Sequence, residues 1–198
     1  MFGFCCSHGI AQFDFIPDVQ KEPTTFKLDS LLESHFITKS PNVEFEFRLW
    51  TIPSLTQCSD VFILQLKSDG WSAKYFEFRN GKFVRGKVEQ KGLDSLWSKI
   101  RYNQVLKLPS QDSLRWLMRK YAADTAIVFD PEGEYMTSMM VDGIRYRFEL
   151  SSKNKKRVYE YHCPAGHLQT YPNIEGLYRA YAILILLRKH LLKPLVVC

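Results

Sequence analysis

Glu44-Phe-Glu-Phe-Arg-Leu-Trp50 decides the fold class of this 198-residue chain. Phe45, Phe47 and Leu49 alternate with Glu44, Glu46 and Arg48, the period-two pattern of a strand with one buried face. Downstream, Val61-Phe-Ile-Leu-Gln-Leu66 runs into Ser68-Asp-Gly70, and the segment from Trp71 to Arg79 runs into Asn80-Gly81 before Lys82 to Val88. Asp-Gly and Asn-Gly tolerate the positive φ of tight hairpin turns, so an antiparallel meander is expected here.

The period then changes. Leu93, Leu96, Trp97 and Ile100 fall at i, i+3, i+4 and i+7, and Leu114, Leu117, Met118 and Tyr121 repeat those offsets behind Ser110, a residue type suited to an N-cap. Two amphipathic helices are predicted, joined by a short link. Strands return at Thr125 to Phe129, turn through Asp130-Pro-Glu-Gly133, and pair Tyr135–Val141 with Ile144–Leu150 across Asp142-Gly143. Ile144, Tyr146, Phe148 and Leu150 should face the core, and Arg145, Arg147 and Glu149 should point outward. A further strand, Arg157 to Cys163, follows the basic loop Ser151–Lys156. The last element, Glu175 to about Leu192, is apolar nearly all round its middle and is expected to be buried on several sides, with Arg188, Lys189 and His190 suiting the negative end of its dipole.

The fold class that follows is α+β: an antiparallel sheet in two meanders, two amphipathic helices between them and a buried C-terminal helix. Fourteen Phe, ten Tyr and four Trp fit such a sheet, because large flat side chains pack well on a pleated surface. No linker or repeat divides residues 43–198, which read as one domain behind an irregular lead-in over residues 12–42. Residues 1–11, Met1-Phe-Gly-Phe-Cys-Cys-Ser-His-Gly-Ile-Ala11, read as the tail of a secretory signal peptide, with Gly9 and Ala11 at the small-residue positions before a cut at Gln12. A periplasmic or secreted location is expected, with the cytoplasm as the alternative. The longest clean apolar run, Ala180 to Leu187, is too short for a transmembrane segment.

Charge narrows the partner. The formal excess of +6 falls in the second half of the chain. Much of it is local to Arg145, Arg147, Lys153, Lys155, Lys156 and Arg157. With His162, these residues are the candidate binding set: Arg145, Arg147, Glu160 and His162 would share one sheet face and could hold an anion, the plainer outcome being a cross-strand pair of Arg147 with Glu160. An unknown protein or an anionic polymer is the expected partner. Nucleic acid is not, since no exposed interleaving of aromatic and basic residues is evident.

His162-Cys-Pro-Ala-Gly-His167 is the densest group of reactive side chains. It could offer zinc ligands, but Pro164 and Gly166 indicate a turn and no second ligand cluster exists, so neither metal nor cofactor is expected. Cys58, Cys163 and Cys198 could form one disulfide, with no spacing to choose the pair. No phosphate-binding loop, dinucleotide fingerprint, nucleophile elbow or metalloprotease helix occurs. The expected function is therefore a non-catalytic binding or interaction domain of an exported protein, its ligand unknown and an anion the candidate class. The alternative is a thiol-dependent or other hydrolase built on Cys163 and His167.

Overall fold

A computed structural model describes residues 42–54, 59–79, 82–124, 143–152 and 155–191. Six strands form one antiparallel sheet: β1 (Val43–Pro53), β2 (Ser59–Lys67), β3 (Gly70–Arg79), β4 (Lys82–Gly86), β5 (Ile144–Ser152) and β6 (Lys155–His162). Their order across the sheet is β4-β3-β2-β1-β5-β6, which puts β1 in the middle. Lys67 pairs with Gly70, so Ser68 and Asp69 alone make the β2–β3 turn, and Gly70 takes φ 117°, a value that a side chain would strain. Arg79 pairs with Lys82 and Ser152 with Lys155 in the other two hairpins.

Phe45, Phe47 and Leu49 lie opposite Leu66, Leu64 and Phe62 on one side and Ser152, Leu150 and Phe148 on the other, so one face of the sheet is a continuous apolar field. The described residues include four helices, α1 (Leu93–Tyr102), α2 (Gln111–Asp124), α3 (Pro164–Thr170) and α4 (Glu175–His190), whose buried side chains join this field in one core. α1 buries the four residues its spacing marked, and Trp97 packs against both Phe45 and Phe47. The Ser113 amide donates to Ser110 Oγ at 3.3 Å, the N-cap bond expected for α2. α4 packs against both α1 and α2, so these three helices form a layer with α4 in its middle. Each apolar side chain fully withdrawn from water in this core contributes about 1.5–3 kcal/mol.

Three expectations are corrected. β1 does not have one buried face: Trp50 and Glu46 on its second face are buried too, Glu46 at 2% exposure. Alternation placed its side chains on the right sides but cannot report what lies over each side. The segment after Cys163 is no simple turn. Pro164, whose fixed φ suits a first helical position, opens α3 behind Cys163 in the left-handed region at φ 38°. α4 is not buried all round; Leu177, Ala180, Ile183, Leu184 and Leu187 make one buried stripe, while Tyr178 on the other side is open to solvent. The leader, the lead-in, the strands expected between 125 and 141, the Asp130–Gly133 turn, Lys153, Cys58 and Cys198 lie outside the described residues.

Candidate functional site

The β5–β6 hairpin brings the predicted binding residues together in sequence register but not on one surface. Arg145 stands opposite His162 and Arg147 opposite Glu160, as alternation requires. Arg157 falls on the opposite face, next to Leu150, among the helices. Its guanidinium donates to the carbonyl oxygens of Leu106, at 2.6 Å, and Leu108, and lies 4.7 Å from the ring centre of Tyr159. Tyr159 and Tyr161 donate from their hydroxyls to Val105 and Pro109 carbonyls at 2.7 and 2.5 Å. These three β6 side chains satisfy the backbone of the α1–α2 link, so Arg157 is a structural cation.

On the second face Arg147 is equally committed. It is only 6% exposed, and its Nε lies 2.9 Å from Glu149 Oε1. Lys156, itself exposed, approaches the other Glu149 oxygen at 3.9 Å. A similar arrangement stands on β1 and β2, where Glu46 accepts from Arg48 at 2.6 Å and from Gln65 at 2.5 Å. Sequence reasoning assigned Glu46, Arg48 and Glu149 to solvent and passed over Gln65; opposite charges at alternate strand positions look like a wet face when read alone. Glu160 is half-buried beside them. Burial pushes its carboxyl above the ordinary value, Arg145 and Arg147 pull it back, and Asp112 and Glu149 add to the rise. On this face Arg48 is paired with Glu46 and Arg147 with Glu149, while Lys156 keeps most of its side chain in solvent.

At the end of β6, the His162 amide donates to Gln111 Oε1 at 2.7 Å and the Ile144 amide to Cys163 Sγ at 3.2 Å. The His162 and His167 rings are 6.5 Å apart, centre to centre. Burial holds both imidazoles below their ordinary value, helped by Arg145 at His162 and by His162 at His167, so both are neutral at neutral pH. Cys163 is disulfide-bonded. No group of three metal-ligating side chains converges among the described residues.

The helical layer differs. Between α1 and α4 runs a groove of about 770 Å³. Ser95, Ser98, Lys99 and Tyr102 line one wall, while Tyr178, Tyr181, Ala182 and Ile185 line the other. Both sets fall at i, i+3, i+4 and i+7, so each helix presents one solvent-side stripe to the groove. α1 and α4 run in opposite directions there, since Arg179 near the start of α4 donates to the Tyr102 carbonyl at the end of α1. Three large aromatic side chains stand open on this layer: Tyr102 at 86%, Trp116 at 63% and Tyr178 at 61% exposure. Trp116 shares its side of α2 with Arg119 and Lys120. The expectation that exposed aromatic and basic residues do not interleave is thus corrected here. Its signal was available as the helical stripe opposite the buried one.

No protein-family model, curated protein or solved structure matches this chain. Among the described residues, no helix is long and apolar enough to cross a membrane.

Proposed function

We propose that this chain is a non-catalytic binding domain of an exported protein, and that its ligand is anionic and meets the helical layer. One observation carries the reading: Arg147 and Arg157 of the β5–β6 hairpin are spent inside the protein, whereas Lys99, Arg119 and Lys120 of the helices face solvent. From Leu93 to Asp124 and from Glu175 to His190 the chain carries nine Lys and Arg against four Asp and Glu, a surplus of five that accounts for most of the +6 of the whole protein. Lys99, Arg119 and Lys120 make no ion pair among the described residues and are exposed. Fixed cations gathered on one layer attract an anion at long range and hold it by charge neutralisation.

A disulfide at Cys163 suits the oxidising compartment that the leader-like residues 1–11 imply. It also weighs against the hydrolase alternative, which needs Cys163 as a thiolate.

Retention on a heparin column tests the proposal. Arg119→Ala with Lys120→Ala should elute the protein at lower salt, and Arg145→Ala with Lys155→Ala should shift it less. No retention of the unaltered protein at low salt would end the anion-binding reading.

A further inference from the structure

The ligand class can be narrowed from what else lies on the helical layer. The apolar strip of Ala182 and Ile185 in the groove matches a hydrocarbon chain better than the charged backbone of a sugar–phosphate or sulfated polymer. Lys99, on the facing wall, sets one cation beside that apolar strip. An amphiphile with an anionic head and a hydrocarbon tail has this pairing of chemistries in one molecule. Tyr102 and Tyr178 line the groove and Trp116 is exposed on α2, so each helix of the layer carries one solvent-facing ring. Amphipathic rings of this kind settle at the boundary between headgroups and acyl chains, with Lys and Arg beside them drawn to anionic headgroups.

Resting on the anion-binding reading above, we propose that the outer face of the α1–α4–α2 layer docks on an anionic lipid surface, with one lipid seated in the groove, its headgroup at Lys99 and its acyl chain along Ala182 and Ile185. The cations supply attraction that weakens with salt, and the aromatic rings and groove supply apolar burial that does not. Either alone binds weakly, and the two together hold.

The test is co-sedimentation of the full chain with vesicles of phosphatidylcholine alone, or of phosphatidylcholine with a third phosphatidylglycerol, at low and high salt. Binding should require phosphatidylglycerol. Arg119→Ala with Lys120→Ala, removing two surface cations, should lower it about thirtyfold. Trp116→Ala and Ile185→Ser should each weaken it as well, with the loss persisting at high salt. All four side chains are wholly or partly solvent-facing, so unchanged thermal melting will certify the fold of each variant. Three outcomes overturn the proposal: no sedimentation with either vesicle, whether or not heparin is retained; binding to phosphatidylglycerol vesicles that ignores Trp116→Ala and Ile185→Ser; and displacement from vesicles by an acidic oligonucleotide at equal charge concentration. A protein retained on heparin but indifferent to vesicles keeps the anion-binding reading and loses the lipid.

Discussion

The β5–β6 hairpin and the helical layer are both rich in Lys and Arg, yet their cations do opposite things. In the hairpin, Arg147 is closed over by its pair with Glu149, and Arg157 is threaded into the α1–α2 link. In the layer, Arg119 and Lys120 stand in water. The difference lies in the secondary structure. Where a strand side chain points into a covered face of the sheet, a cation there must find an internal partner or leave a costly unpaired charge. A helix lying on such a sheet always keeps one side out.

The largest test of that contrast is Leu184→Asp, which should abolish folding because the side chain lies in the fully buried stripe of α4 and a carboxylate there has no partner. Ile185→Ser, one residue along, should fold normally. Urea denaturation comparing the two decides it, and equal stability would show that α4 has no inner side. Next in size is Arg147→Ala, which strands the Glu149 carboxylate and should cost about 3 kcal/mol. Arg119→Ala should stay within about 0.5 kcal/mol, so similar losses at the two arginines would erase the distinction between hairpin and layer. Arg157→Ala should cost about 2 kcal/mol, since it leaves the Leu106 and Leu108 carbonyls without their donor. A loss below half that figure would mean water replaces the guanidinium there.

The smallest effect is on pH dependence. His162 and His167 titrate below the ordinary imidazole value when folded, chiefly because they are buried. The unfolded chain then binds protons that the folded chain refuses, so their contribution is complete above the unfolded imidazole value and is lost as pH falls through the lower, folded one. Glu160, raised by burial, works in the opposite sense: its contribution is complete below the ordinary carboxylate value and fades as pH rises through the folded one. His162→Gln with His167→Gln should flatten the slope between neutral and mildly acid pH. A slope that does not change assigns it to other groups.

Period-two and helical spacing were enough to place the described strands, α1, α2 and α4, and the cross-strand register of Arg145 with His162 and Arg147 with Glu160. They were not enough to say which faces are wet. Glu46 and Arg48 read as solvent residues because alternation reports side, not cover. Arg157 read as a strand residue of the candidate binding set because its acceptors are carbonyls about fifty positions away, which leave no mark on composition. The groove escaped for a different reason: its two walls are ordinary helix faces that acquire meaning only once α4 is known to lie beside α1.

The central place of β1 also shapes the route by which the chain folds. β1 is the first described strand, yet one of its two neighbours, β5, lies between 91 positions away, from Pro53 to Ile144, and 107 positions away, from Phe45 to Ser152. Pairings of such long sequence separation must close a large loop before any contact repays the entropy, which slows folding. Until β5 arrives, the apolar edge of β1 is a template for another chain. A nascent copy halted before residue 144 is therefore prone to aggregate, and a chaperone would find its task there.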